Sequence, residues 1–311
     1  MILCIGPTPA AQRVMRFRKL TLDAVNRAVT TLDGVAGKSV NVAKVLKALG
    51  ERPVATGFLG GDRGEEVRSL LEARGIEQEF VSVTPRTRQC ITVIDESSGR
   101  ITELVEESRP VEAADYEKLM AIIRRRVNQC RALIMSGTIT PGGPTSFYLE
   151  CVRAAHEAGA LSVVDAQGPA LLEVLGGGPG LIKPNRTELA ATAGRALEDE
   201  AAVASAMHDL CERGAQRVVV TAGREPALAC DGKQFWRITP PRITALNPIG
   251  SGDAFAAGLV WRLLRGDDLG EAGRWGSAAG AANALTAMAG EVSSADVERL
   301  TQETRVEEMR V

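Results

Sequence analysis

Histidine is nearly absent from the chain: His156 and His208 are the only two among 311 residues. Both lie inside stretches of helical period, so ordinary helix positions account for them and histidine-based catalysis or a histidine-rich metal site is not expected. An excess of either charge is also missing. With 37 Lys and Arg against 39 Asp and Glu, there is no basic footprint for nucleic acid or an anionic membrane, and a small neutral or anionic ligand fits better. No stretch approaches the ~20 apolar residues of a membrane span, and the opening MILCIGPTPA is too short in its apolar run for a secretory signal. The expected location is cytoplasmic. The six cysteines (Cys4, Cys90, Cys130, Cys151, Cys211, Cys230) lack the paired spacings of zinc sites and redox motifs, and are expected to be reduced, mostly buried and inert.

What is present is length enough for a substantial core, expected as one continuous domain over residues 1–311. From Pro53 onward, short β-branched runs alternate with segments of helical period. That pattern predicts an α/β fold, a doubly wound and mostly parallel sheet flanked by helices. Strands are predicted at 2–5, 54–58, 132–135, 161–164, 180–182 and 217–221, and helices at 39–49, 64–73, 113–128, 147–158 and 201–212. Several helices are closed by a glycine: Gly50, Gly75, Gly159 or Gly214. Two stretches break the rhythm, 13–18 with 25–31 and 88–95 with 100–105. They read as antiparallel hairpins, placed together as a small β-sheet lid built from segments 12–35 and 86–108. The run Arg124, Arg125, Arg126 reads as a solvated helix face.

Three loops carry candidate chemistry. NPIGSGDAFAAG (247–258) runs from a loop straight into a helical pattern. Gly250, Ser251 and Gly252 let backbone N–H groups approach an anion at a helix N-terminus, and Asp253 beside them suits the acceptance of a hydroxyl proton during phosphoryl transfer. An Asp that only complements the helix dipole is the plainer alternative. In KPNRTE (183–188), Asn185 and Glu188 share a face of a first helical turn, where they could hold water or Mg²⁺, while Lys183 could meet a phosphate. The same spacing fits a capping box, which spacing alone favours. The third loop, GVAGKSVNVA (34–43), ends like a P-loop, but that motif requires glycine where Leu32 stands and no convincing strand precedes it. GFLGGDRG (57–64) lacks the dinucleotide spacing and reads as a tight strand-to-helix turn.

Together these loops resemble the ribokinase-like (PfkB) sugar kinase family over nearly the whole chain. The resemblance is closest to the branch of 1-phosphofructokinases and tagatose-6-phosphate kinases, through VNR (25–27), AGKSVNVAKVLKALG (36–50), TGFLGGDRG (56–64), SGTITPGGP (136–144), LIKPNRTEL (181–189) and NPIGSGDAFAAG. It implies Asp253 as catalytic base, Gly250, Ser251 and Gly252 as anion hole, and ATP with Mg²⁺ organised by Asn185 and Glu188, directly or through water. It further implies Lys183, Thr221, Gly223 and Asn283 on the nucleotide side, with Gln12, Gly37, Lys38, Asn41, Ser136 and Gly137 on the sugar side. Arg88 takes the place of a lid arginine that grips the substrate phosphate. Arg27 would contribute similarly from a neighbouring subunit or stand as an exposed lid arginine, and a homodimer through the lid is implied. The chain departs from the family pattern at Gln12, where an Asp is usual, at Ser39 and at Pro226, the last two standing where Gly is common. An amide in place of a carboxylate presents donors as well as one acceptor, which changes the hydroxyl pattern it recognises.

The expected activity is therefore ATP-dependent phosphorylation of a sugar phosphate. The alternatives are a kinase of an unphosphorylated sugar or nucleoside, a non-catalytic sugar-phosphate sensor and, more distantly, a dehydrogenase.

Overall fold

The computed structural model describes residues 1–309. The chain opens with β1 (Ile2–Ile5) and runs into β2 (Ala10–Phe17) and β3 (Thr30–Ala36), followed by helix α1 (Lys38–Ala48). Next come β4 (Pro53–Thr56), β5 (Phe58–Leu59), α2 (Gly61–Ala73), β6 (Glu77–Gln78), β7 (Val81–Ser82), β8 (Arg88–Asp95) and β9 (Arg100–Val105). Helix and strand then alternate as the periodicity predicts: α3 (Ala113–Arg126), β10 (Ala132–Ser136), α4 (Phe147–Glu157), β11 (Leu161–Asp165), α5 (Gly168–Val174) and β12 (Leu181–Ile182). After α6 (Arg186–Ala193), α7 (Glu200–Glu212) and β13 (Val218–Ala222), the antiparallel β14 (Glu225–Cys230) and β15 (Phe235–Thr239) lead to α8 (Ser251–Leu263), α9 (Leu269–Ala284), α10 (Ser294–Glu303) and β16 (Arg305–Met309).

The main sheet has ten strands in the order β16-β15-β14-β13-β12-β11-β10-β1-β4-β6. The strands from β13 to β6 are parallel. From β1 the chain steps outward to β4 and β6, then returns to extend the other side through β10 to β13. The order thus reverses between β1 and β10, and a crevice opens beyond the carboxyl ends of the strands. Both faces of the sheet are covered, so its central strands are apolar on both sides. Ile2 and Cys4 of β1 enter the core under α1, α8 and α9, while Leu3 and Ile5 enter the core under α3, α4 and α7.

The second sheet has the order β3-β2-β8-β9, and it differs from two simple hairpins. β2 pairs antiparallel with β3 from Ala10↔Ala36 to Arg16↔Thr30, so the first strand starts earlier than the predicted 13–18 and the second lies later than the predicted 25–31. The β-branched stretch around Val25 stays out because the Asn26 side chain binds the Thr21 N–H, the Thr21 carbonyl and the Ala24 carbonyl, folding a loop that Asp23 completes at φ 56°. The two halves are joined by a parallel β2–β8 pair, which the hairpin pattern did not predict. A strand does precede Gly37-Lys38-Ser39, with Val35 fully buried in it. It pairs antiparallel in this small sheet, so the exclusion of a P-loop rests on Leu32.

The strands β14, β15 and β16 were not anticipated. Pro226 is the second residue of the first, where proline reads as a strand breaker, and RVEEM of β16 is a charged edge strand without an apolar alternation. The arginine run is also more than a solvated face. Arg125 and Arg126 bind Glu79, and Arg126 lies 2.6 Å from Glu77 on β6, while Arg124 stays 67% exposed. All six cysteines are free, and Cys211 alone is only partly buried. Among the described residues no helix is long and apolar enough to cross a membrane.

Candidate active site

The loop before α8 closes on Gly250 at φ 85°, a left-handed position that favours glycine. A Cβ there would come within 2.9 Å of Ala289, so the position is closed to side chains on steric grounds as well. Among the described residues no side chain caps α8; its first turn, Gly250 to Asp253, brings the positive end of the helix dipole to the cavity wall, with the Ser251 N–H donating to the Pro248 carbonyl at 3.1 Å. Asp253 sits in that first turn, 7% exposed. Helix α9 packs against α8 at backbone distance: Cβ atoms at Gly258, Gly276 and Gly280 would stand 2.8, 2.8 and 3.0 Å from the carbonyl oxygens of Trp275, Phe255 and Ser251.

The resemblance puts Asn283 at the nucleotide, but its side chain is wholly buried behind the loop. It donates to the Ile249 carbonyl (2.9 Å) and to Ser251 Oγ (3.2 Å), and accepts from the Gly290 N–H (2.7 Å). Asn283 therefore supports the loop backbone from the rear.

A chain of charges runs along the cavity floor. Asp165, at the carboxyl end of β11, lies 3.2 Å from Lys38 and 3.1 Å from Lys183. Burial pushes its carboxyl up, yet the two lysines outweigh burial and hold it below the ordinary range. Lys38 also reaches Glu188 at 3.3 Å, and although burial opposes its charge, Asp165, Glu188 and Asp253 raise the ammonium above its ordinary value. Asp253 goes the other way. Burial first, and Asp165 second, push its carboxyl up to about 6, against Lys38, the Asn41 hydrogen bond and Lys183. A carboxylate poised there accepts a proton at neutral pH more readily than an exposed Asp. Asp165 is a site residue that sequence reasoning missed; its local signal is a carboxylate closing a buried strand.

Asn185 and Glu188 form the capping box: Asn185 Oδ1 accepts from the Glu188 N–H and Glu188 Oε2 from the Asn185 N–H, each at 2.8 Å. Thr221 bridges to Asn185 through the backbone, and Gly223 follows at φ 64°. These residues line the same cavity of about 1260 Å³ as Lys183 and Gly250 to Asp253.

On the opposite wall, the small sheet contributes Gln12 and Arg88. Gln12 is 2% exposed, and neither of its amide atoms has a hydrogen-bond partner among the described residues. Arg88 donates from Nε (3.2 Å) and Nη2 (3.0 Å) to the Thr8 carbonyl, tying the small sheet to the segment after β1. Gly37, at φ 109°, and Asn41 complete this side. Ser136, buried at the end of β10, and Gly137 are not in the cavity wall.

An uncapped helix end with a buried carboxylate in its first turn, at a cavity walled by a second sheet, is compatible with phosphoryl transfer. The model of the pfkB family carbohydrate kinases matches residues 1–295. The chain belongs to that family. A tagatose-6-phosphate kinase of Staphylococcus epidermidis is 30% identical to this pfkB-family kinase, covering 99% of the chain and 100% of the relative. The crystal structure of Escherichia coli phosphofructokinase-2 with fructose 6-phosphate is 26% identical with a TM-score of 0.87, over 97% of this chain and 98% of that one. A Thermotoga maritima structure named as a possible 1-phosphofructokinase shares the fold over 100% of both chains, at 24% identity and a TM-score of 0.91. The kinase is thus a carbohydrate kinase with a ribokinase-like α/β fold.

Proposed function

We propose that this kinase transfers the γ-phosphoryl group of ATP to a primary hydroxyl of a furanose-like sugar phosphate. The observation that carries the reading is Asp253, a buried carboxylate raised to about 6 in the first turn of an uncapped helix. In this reading Asp253 accepts the hydroxyl proton, while N–H groups of Gly250, Ser251 and Gly252 meet the charge that develops on the phosphoryl oxygens. Thr221 and Gly223 lie on the nucleotide side, and Gln12, Gly37 and Asn41 on the sugar side.

The donors near the phosphates are carboxylate and amide oxygens, which suits Mg²⁺. Both Glu188 oxygens already accept hydrogen bonds, from the Asn185 N–H and from Lys38, and no cluster of three acidic, His or Cys residues gathers among the described residues. Asn185 and Glu188 therefore fit the ion through its water shell. Bound there, Mg²⁺ would neutralise phosphate charge.

The phosphorylated acceptor rests on Arg88, a guanidinium in the sugar-side wall that meets no carboxylate within 4 Å among the described residues. Lys38 does not add to it, since its ammonium turns to Asp165 and Glu188. Candidate acceptors are 1-phosphofructose, fructose 6-phosphate and tagatose 6-phosphate. The small sheet acts as a lid and as the contact of a homodimer. The large apolar side chains left exposed among the described residues gather there: Leu32, Leu104 and Val105 on its strands, and Leu22, Val25 and Val29 in the connection between β2 and β3.

The test is Mg²⁺-dependent ADP release with a panel of free and phosphorylated ketoses, aldoses and nucleosides, beside Asp253→Asn and Arg88→Ala. Turnover of a phosphosugar is expected, lost by ~10²–10⁴-fold in Asp253→Asn and weakened in KM for that substrate in Arg88→Ala. Silence across the panel, with ligand-induced thermal stabilisation, would overturn the kinase reading in favour of a sensor.

A further inference from the structure

Lys44 lies on the buried side of α1, 5% exposed. It forms no ion pair within 4 Å among the described residues; its ammonium donates to two backbone carbonyls, Val35 at 3.2 Å and Ala289 at 2.5 Å. A buried ammonium is costly unless fixed dipoles replace its water. Burial draws its pKa down to about 8, with Arg74 acting in the same direction and Glu291 and Asp253 opposing.

The two carbonyls belong to different parts of the machine. Val35 is in β3 of the lid, and Ala289 is in segment 286–290, which follows α9. That segment is wedged against the anion hole: the Asn247 amide donates to the Ala287 carbonyl at 2.8 Å, and Ala289 fills the space where a Gly250 side chain would stand. Gly290 packs so closely on α1 that a Cβ would lie 2.7 Å from Asn41 Cα. Met288 turns the other way and joins Val14 and Ile94 in the hydrophobic core of the lid.

We infer that Lys44 is a positioning residue: by clamping the Val35 and Ala289 carbonyls together, it fixes segment 286–290 between lid and anion hole, so that the placement of one sets the shape of the other. The inference rests on the proposed kinase reading for its kinetic consequence, and on the geometry alone for its structural one.

The experiment compares wild type, Lys44→Met, which keeps the stem without the charge, and Lys44→Ala, which leaves room for an amine. Hydrogen exchange of the amides of 250–253 and 286–290 in the ligand-free protein is expected to accelerate in Lys44→Met. In turnover, kcat should fall about 10- to 100-fold, with KM for the phosphosugar within about twofold, as for a misplaced oxyanion site. Ethylammonium should restore part of kcat to Lys44→Ala, and tetramethylammonium at equal ionic strength should not. Unchanged exchange in both segments of Lys44→Met, or unchanged kcat, overturns the inference. So does equal rescue by the two amines. If Lys44→Ala does not fold, Lys44→Met decides alone. If the wild type itself proves silent in turnover, the kinase reading fails and the exchange result still decides the role of Lys44.

Discussion

Asn41 Nδ2 lies 2.7 Å from Asp253 Oδ2 and donates to it, joining α1 to α8 across 212 residues of chain. The bond favours the ionised carboxylate and holds back the rise that burial imposes. The acid limb of kcat/KM is expected near pH 6 in the wild type, with activity lost as Asp253 takes up its proton. In Asn41→Ala the carboxyl rises further, so activity is lost earlier on acidification and the limb moves up. A pH profile with an unmoved limb would show that Asn41 does not tune the base.

The same carboxylate has a stability consequence of opposite sense. Its folded value, about 6, lies above the ordinary 3.8, so the native state binds a proton that the unfolded chain releases. Wild type therefore loses stability relative to an uncharged residue as pH rises from about 4 to 6. Two units correspond to a ceiling on the order of 3 kcal/mol. Asp253→Asn is expected to melt higher than wild type at pH 7.5, with the gap closing near pH 4. Melting curves at both pH values check it, and equal midpoints at pH 7.5 would refute the burial argument.

Gln12 buries both amide atoms without partners, a condition that costs ~1–3 kcal/mol in the ligand-free protein. Gln12→Met should raise the melting temperature while weakening the sugar substrate, seen as a KM increase of about tenfold or more. A variant that loses stability, or binds the sugar as tightly as wild type, would show that the amide is not held ready for a hydroxyl.

Among the described residues, Asp165 is the only acidic side chain within 4 Å of the buried Lys183 ammonium, whose side chain is 3% exposed. Asp165→Asn leaves that ammonium unpaired and should destabilise by roughly 3–5 kcal/mol, read from chemical denaturation. A loss below about 1 kcal/mol would mean that Lys183 finds its support elsewhere.

These residues differ in how plainly the sequence marks them. Gly250 to Asp253 stand out because the loop, the proposed anion hole and the proposed base are consecutive, and the capping box of Asn185 and Glu188 is legible because its three-residue spacing is a helical one. Asp165 has meaning only through Lys38 and Lys183, which come from other segments of the chain. Asn283 matches a family position, yet its burial behind the loop depends on how tightly α9 approaches α8. The parallel strands announce themselves as continuous apolar runs, whereas β16 is a polar ribbon that only its neighbour β15 makes a strand.

The contact between α8 and α9 restricts what sequence change can repair. At Gly258 and Gly276 the opposing atoms are main-chain oxygens, so no smaller neighbour can be exchanged for a larger newcomer. Pairwise compensation, the usual escape for a crowded core, is closed at these two positions. In a library selected for catalysis, they should tolerate replacement as poorly as Asp253, although neither touches a reacting atom. A map of intolerance would outline the rear of the proposed anion hole as sharply as its front.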